Sequence, residues 1–563
     1  MSTNLALAES LREIADLLDL QGERFKPEAY RRAARSLEAL AEDLRTVAGR
    51  GGLEEIPGVG EAIAEKIREF LRSGSVPYLD RLRRDLPPGL VEIMHLPGLG
   101  PKTTRRFWIE LGIEGPAELA EAIETGRLAG VKGFGPRKIE LIRSALAARG
   151  TSGQRVGLLA AHRVAERILA ALRANPAVDR VEAAGSLRRR RESIGDLDIL
   201  VTSTDPERVF DAFTAFPEVT SVTLRGPTKE TVVWSGGLQV DLRVVEPSSF
   251  GAALQYFTGS KDHNVHLRGI ARDRGLKVNE YGVFRGEERV ASATEEDVYA
   301  RLDLPWIPPE IRENHGEIEA AAKHALPHLV EATDLQGTYH VHVGRDITSA
   351  GIARIEDALR ARRLAYVGLV VGVPPGSRDV GSPPAVLPRS SSTSDPPSPR
   401  RSLRIGWGFE IDLPTSGVLP DASEEWDFWV GRPASGADAP TSRPDRPPLV
   451  LAHLTYGATT GGGTPEGPAG WVSLARAWDA ALDLAPEGPL DSTGMKAARA
   501  AGVPVHLAPA ADPREPFEGL DLSLGVARRG WAEKGDILNA RPMVQRSAGG
   551  ASRGARTPPR PSS

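Results

Sequence analysis

Seventeen residues between Gly185 and Val201, GSLRRRRESIGDLDILV, restrict this chain more than any other stretch. Its apolar end predicts a strand over DLDILVT. On a strand, Asp196 and Asp198 stand at i and i+2, so both carboxylates leave one face, under ~7 Å apart at Cα. Two like charges so close are costly unless cations neutralise them. Hard divalent ions with oxygen ligands, Mg2+ or Mn2+, are the natural partners. Asp241, in LQVDLRVV, can add a third carboxylate from a neighbouring strand, and three carboxylates can hold two ions ~3.5–4 Å apart. Gly185-Ser186 falls at a strand-to-helix turn whose amides and hydroxyl suit phosphate oxygens. Arg189 and its neighbours suit the charge that develops on a leaving pyrophosphate. A solvated basic face accounts for the arginines alone, and an exposed strand edge for the aspartates alone. Neither accounts for all three features together, and the segment reads as a nucleotidyl-transfer site.

A second pattern recurs near the N-terminus. IPGVGEAIAEKI (56–67), LPGLGPKTTRRF (96–107) and VKGFGPRKIELI (131–142) share an apolar-x-Gly-x-Gly frame followed by a helix with basic residues. In each, Gly-x-Gly permits a tight turn whose amides meet a helix N-terminus, a nest that takes a backbone phosphate without reading a base. The glycines are Gly58 and Gly60, Gly98 and Gly100, Gly133 and Gly135. Lys66, Lys102, Arg105 and Arg137 lie in the following turns, where they can neutralise neighbouring phosphates. One such turn is an ordinary helical corner; three with one frame predict helix-hairpin-helix DNA binding. Lys66 carries a further expectation, since an amine beside other cations can form a Schiff base with a sugar aldehyde. From residue physics alone, a solvated phosphate-contacting lysine is the stronger reading there.

Composition bounds the rest. The chain has 563 residues, room for roughly three to five domains. Its formal net charge is −4, so nucleic-acid binding must come from local patches rather than from a polycation. It has no cysteine, which excludes disulfide scaffolds, Cys-ligated zinc fingers, iron–sulfur clusters and thiol catalysis. The longest strongly apolar run, Tyr366 to Val373, is far short of the ~20 residues that span a bilayer. The first residues lack the basic and apolar regions of a signal peptide, and a cytoplasmic, nucleoid-associated protein is expected.

GS…GDLD, the later VDLR strand and Tyr256-Phe257-Thr258-Gly259-Ser260 together resemble the family X DNA polymerases. The resemblance runs without a gap from residue 1 to about 333 and implies a multidomain α+β architecture. Its expected parts are a helical lyase-like domain (1–85), fingers (86–150), a nucleotidyltransferase palm with an antiparallel or mixed sheet (151–248) and a small thumb (249–333). It implies that Asp196, Asp198 and Asp241 hold two Mg2+ or Mn2+ ions, with Asp241 also activating the primer hydroxyl. Gly185, Ser186 and Arg189 match triphosphate-binding positions. Tyr256 and Phe257 match those that line the sugar and exclude a ribose 2′-oxygen, and Gly259 lets the backbone close on the nucleotide. Asn264 and Arg268 match positions facing the incoming base and the template. Gln239 departs from members with an arginine near the catalytic aspartate, which implies slower chemistry. Lys66 falls on the family's Schiff-base lysine, with Lys26 and Tyr30 at pocket positions, and implies a 5′-deoxyribose-phosphate lyase. The function implied is template-directed filling of short gaps in DNA repair, on gapped or nicked duplex with dNTPs, by a monomer. The alternatives are a template-independent nucleotidyltransferase and a DNA-end-binding scaffold.

DLQGTYHVHV resembles the opening of the polymerase and histidinol phosphatase (PHP) domain, a distorted α/β barrel with a three-metal site for 3′–5′ exonuclease activity. It is expected over 334–545, with a disordered insert near 374–403 and a disordered tail over 546–563. His340, His342, Glu410 and His453 match metal ligands. The other ligand positions are replaced: YVGLVVGV stands where a Thr-Asp-His-Ser strand end belongs, and the late Asp-x-His is missing near HLAPAAD. A three-metal site is therefore not expected, and the exonuclease is expected to be lost.

Overall fold

The computed structural model describes residues 3–543, except scattered positions before residue 155, residues 373–402, 414–425, 434–447, 452–466 and 510–516, and residues 487 and 489. Both segments expected to be disordered, and Gly98, Gly133, Arg137 and His453, lie outside the described residues. The chain forms two compact units, one of Met1–Pro327 with Arg528–Trp531, the other of His328–Ala527 with Ala532–Ser563.

The first unit opens with helices. In Thr3–Gln21, Leu7, Leu11, Ile14 and Leu18 recur at helical spacing and are fully or almost fully buried. They share a core with Ala33, Ala34 and Leu37 of helix Lys26–Ala39. Helices Glu61–Ser73, Pro101–Leu111 and Pro116–Glu124 follow, the last two entered through a proline in the first turn, where its missing N–H costs nothing.

Next comes a five-stranded sheet of β1 (Arg180–Ala183), β2 (Asp196–Thr202), β3 (Val219–Arg225), β4 (Lys229–Trp234) and β5 (Gln239–Val245), in the order β1-β2-β5-β4-β3. Helix Leu158–Arg173 buries Leu158, Ala161, Ala165, Ile168, Leu169 and Leu172. Of the two expected forms, antiparallel or mixed, the sheet takes the mixed one: β2 and β5 are parallel neighbours, the other pairs antiparallel. Leu197, Ile199, Leu200 and Val201 are all buried, as a central strand covered on both faces requires. Helices Phe250–Thr258 and Lys261–Asp273 lead to a small antiparallel sheet of β6 (Lys277–Asn279), β7 (Gly282–Arg285) and β8 (Glu288–Ala291).

The second unit is built on seven parallel strands in chain order: β9 (Gly337–His342), β10 (Tyr366–Gly372), β11 (Arg404–Leu413), β12 (Phe428–Pro433), β13 (Val450–Leu451), β14 (Ala481–Leu484) and β15 (Val505–Leu507). This is a curled parallel half-barrel. β10 is buried at Tyr366–Val371, which explains its unbroken apolar sequence. Asn539 links the last strand to the residue that precedes the first. It bonds both the amide (2.6 Å) and the carbonyl (2.9 Å) of Leu507, while its own carbonyl accepts from the amide of Gln336 (2.7 Å).

Candidate active site

The parallel pairing of β2 with β5 sets Asp198 directly opposite Asp241, with Asp196 one pleat away opposite Gln239. Three carboxylates from segments about 45 residues apart in sequence thus meet at one end of the sheet. Burial, together with Asp196 and Asp241, pushes the Asp198 carboxyl up to about 7, against the pull of Arg243 and Lys229. Asp196 is also raised, by burial and then by Asp241, against Arg155, Lys229 and Arg189. Asp241 is 5% exposed. Its Oδ1 accepts from Thr231 Oγ1 (2.8 Å) and from Gln239 Nε2 (3.2 Å). Its Oδ2 lies 2.6 Å from Lys229 Nζ and 3.6 Å from Arg243. The donor set is all oxygen and short of cations, with one ammonium already drawn to Asp241, and it fits hard divalent ions.

The Gly185–Arg188 turn packs against these carboxylates. Gly185 has φ +61°, and a Cβ there would come within 2.5 Å of Asp198 Oδ2. Only glycine allows both the backbone angle and the approach. The hydroxyl of Ser186 is buried and has no hydrogen-bond partner among the described residues. The arginines turn inward rather than toward solvent. Arg188 forks onto Glu295 (2.7 and 2.8 Å) and donates to Thr258 Oγ1 (2.8 Å). Arg189 is 9% exposed, donating to Glu313 (2.9 Å) and to the carbonyl of Thr258 (2.8 Å). Glu313 is also held by Arg529 (2.6 Å). Burial alone would raise Glu313, but Arg529, Arg189 and Arg191 hold it well below its ordinary range. Glu313, Lys229 and Thr231 carry no signal in the sequence, since none of them lies in the motif segment.

Beyond the aspartates, Tyr256 and Phe257 meet edge to face at 5.2 Å, with the Arg243 guanidinium 4.4 Å from the Phe257 ring centre. Asn264 ties the end of helix Phe250–Thr258, donating to the carbonyls of Tyr256 (2.6 Å) and Gly259 (3.2 Å) and accepting from Gln255 (3.1 Å). A Cβ on Gly259 would fall 2.6 Å from Asn264 Oδ1, so that residue also depends on being small. Arg268 is exposed one turn further along helix Lys261–Asp273, which Ser260 caps by accepting from the His263 amide (3.1 Å).

Among the described residues, the three N-terminal cassettes share one pattern of turn bonds. Val59, Leu99 and Phe134 donate their amides to Ile56, Leu96 and Val131, each at 3.0 Å. The next glycine, Gly60, Gly100 or Gly135, then accepts the first two helical amides. A Cβ on any of these three glycines would meet nothing within 4 Å, so each leaves open space above its backbone. Gly58 adopts φ +84°. Lys102 and Arg105 are exposed on helix Pro101–Leu111, with the Arg105 guanidinium lying over Gly22. Lys66 Nζ donates to the Ala62 carbonyl (3.0 Å) and sits 4.9 Å from the ring centre of Tyr78, which stacks on Tyr30 at 6.3 Å. Burial, with Tyr78 nearby, pushes the Tyr30 hydroxyl up to about 12. Lys26 pairs with Glu23 (3.0 Å). Tyr78 was not apparent from the sequence.

In the second unit, His340, His342 and Glu410 bring one ligand atom each within 4.8 Å of one another. His340 Nε2 and His342 Nε2 each lie 3.7 Å from an oxygen of Glu410. Behind them, Asp483 accepts from His340 Nδ1 (2.7 Å) and His506 Nδ1 (2.6 Å). Burial disfavours a charged His340, but Asp483 and Glu410 outweigh it and raise the imidazole to about 10. Two imidazoles and a carboxylate converging in this way fit a divalent ion. Asp483 stands outside every motif, and His506 opens the HLAPAAD stretch, where no ligand was expected.

Among the described residues, no helix is long and apolar enough to cross a membrane. Residues 2–76 match the family model described as helix-hairpin-helix domain, residues 91–148 the SAM-like helix-hairpin-helix tandem, and residues 253–313 the DNA polymerase beta thumb. The chain is 30% identical to DNA polymerase/3′-5′ exonuclease PolX of Bacillus subtilis over 556 residues, covering 95% of this chain and 96% of the relative. It is 26% identical to DNA polymerase lambda of Rattus norvegicus over 345 residues, 55% of this chain and 56% of the relative. It is likewise 26% identical to DNA-directed DNA/RNA polymerase mu of Homo sapiens, over 55% of this chain and 69% of the relative. With full-length likeness to the bacterial relative and aspartates paired across parallel strands, the chain belongs to the bacterial family X DNA polymerases and is a DNA-directed DNA polymerase.

Proposed function

We propose that this enzyme fills short gaps during DNA repair, using Asp196, Asp198 and Asp241 on one sheet as its reaction centre. The register that sets Asp198 opposite Asp241 carries the reading. Two divalent ions held by these carboxylates would supply a lowered pKa at the primer 3′-hydroxyl and positive charge along the triphosphate. Asp241 takes the hydroxyl proton as the 3′-oxygen bonds to the α-phosphorus and the bond to pyrophosphate breaks. Thr231 and Gln239 fix the orientation of Asp241. Ser186 and the Gly185 turn hold phosphate oxygens; Arg189 joins them when its pair with Glu313 opens. Tyr256 and Phe257 line the sugar, Gly259 lets the backbone close on the nucleotide, and Asn264 and Arg268 face the base and the template. The glycine turns grip duplex phosphates on either side of the gap through backbone amides, with Lys102 and Arg105 beside them.

The grouping of Lys66 with Tyr78 and Tyr30 supports a second activity, 5′-deoxyribose-phosphate lyase. In the second unit, which we read as a PHP-like barrel, three converging ligands support a single divalent ion rather than three. We read its exonuclease as lost.

Single-nucleotide extension on a gapped duplex tests the main reading, with D196A/D198A and an untemplated primer alongside. Aspartate-dependent extension that follows the template is expected. Equal extension without a template would make the enzyme a terminal transferase, and tight gap binding with no extension would make it a scaffold. The same gel, run without nucleotides, reports on the nuclease: 3′ shortening that survives D196A/D198A would overturn its loss.

A further inference from the structure

We infer that Asp483 and His506 are positioning residues that prepare His340 to bind a divalent ion, an inference resting on the single-ion reading of the His340–His342–Glu410 cluster. Hydrogen-bond polarity fixes each ring in turn. His506 is fully buried, and its Nε2 accepts the backbone N–H of Tyr339 at 3.0 Å. A backbone amide can only donate, so this nitrogen carries the lone pair and the proton of neutral His506 sits on Nδ1. That proton goes to Asp483 Oδ1 at 2.6 Å. The other oxygen of Asp483 accepts from His340 Nδ1 at 2.7 Å. With Nδ1–H committed to Asp483, Nε2 is the nitrogen that His340 turns toward Glu410 Oε1, 3.7 Å away, and the one whose proton an ion would displace. That nitrogen is buried and has no hydrogen-bond partner among the described residues.

Thus a backbone N–H on β9 sets the tautomer of a histidine on β15. That histidine anchors a carboxylate on β14, which in turn fixes the tautomer of a ligand back on β9. Carboxylates that accept from a ligand imidazole in this way both orient the ring and strengthen its donor nitrogen.

D483N tests the chain without changing shape. Its amide oxygen must serve His506, whose donor is fixed by Tyr339. Its NH2 then faces His340 Nδ1, which can pair only by moving the proton to Nε2, so the lone pair no longer points at the ion. The experiment uses full-length protein carrying D196N/D198N, so that the polymerase site does not compete. Co2+ is titrated while its visible d–d absorption, sensitive to imidazole ligation, is recorded. One Co2+ per chain is expected, absent in H340A. D483N is expected to weaken binding by about 10–100-fold with an unchanged melting temperature. H506A is expected to weaken it by about tenfold, and H506N, which keeps a donor toward Asp483, to recover most of that loss. Should D483N fail to fold, the H506A and H506N pair decides the matter. Co2+ binding unaffected by D483N, or by H506A, would overturn the inference while leaving the ion site intact. No Co2+ binding by the D196N/D198N protein itself would overturn the single-ion reading beneath it.

Discussion

The two candidate ion sites of this chain solve one problem with opposite materials. The proposed polymerase site gathers three carboxylates, uses ammonium and guanidinium groups to temper their repulsion, and keeps Asp196 at the solvent edge. The site in the second unit gathers imidazoles around Glu410 and braces them from behind with a buried carboxylate. The first offers hard oxygen donors at an edge open to solvent, the ligand type that hard divalent ions prefer. The second is preorganised, with ring orientation fixed before any ion arrives. Charge repulsion builds the first and hydrogen-bond polarity the second.

The comparison breaks most sharply at Asp241. D241A is expected to lower gap extension by at least about 10³-fold, the scale of a group acting in the transition state, while leaving Co2+ binding by the second unit unchanged. A loss of both would mean that the two sites are not independent. Smaller, but still large, is the effect of G185A. A methyl 2.5 Å from Asp198 Oδ2, on a backbone at φ +61°, must displace either the carboxylate or the turn. Extension is expected to fall by about 10–100-fold, measured as kcat/KM for dNTP, since displacements of about 1 Å carry penalties of that order.

Much of the polymerase site was legible because its chemistry is local. Gly185, Ser186, Asp196 and Asp198 fall within 14 residues, and strand geometry alone puts both aspartates on one face. The parallel pairing that brings Asp241 opposite Asp198 is a long-range event that an alternating pattern does not encode. The same limit hid Glu313, which meets Arg189 across 124 residues, and Asp483, 143 residues from His340. The partners of the arginine run were hidden for the same reason, since Glu295 and Glu313 come from far along the chain. The repeated glycine hairpins were readable because each is closed by bonds three or four residues long.

Acidity separates the two sites in a gentler way. In chelated protein, Asp198 is raised to about 7 and His340 to about 10. Both groups bind a proton more tightly folded than unfolded, so both add stability at low pH that is lost as pH rises. The windows differ. The contribution of Asp198 fades between about 4 and 7, and that of His340 between about 6.5 and 10. Melting temperatures recorded in chelator across this range should show a fall in the lower window that D198N removes, and a fall in the upper window that H340Q removes. One shared window would mean that a single group dominates both. The smallest expected effect concerns Lys229, whose ammonium sits 2.6 Å from Asp241. K229M should tighten Mn2+ binding in the absence of DNA by about threefold, read by the loss of the free-ion electron spin resonance signal. Weaker binding would show that the lysine helps the ion rather than competing with it.

Four residues, Arg528–Trp531, belong to the first compact unit although nearly all of the second precedes them in the chain. Arg529 among them completes the guanidinium shell around Glu313, the acid that holds Arg189. A gene cut after residue 333 therefore does not encode this polymerase less an appendage. It encodes one whose buried acid has lost its shortest cationic contact and is left with Arg189 and Arg191 alone to balance it.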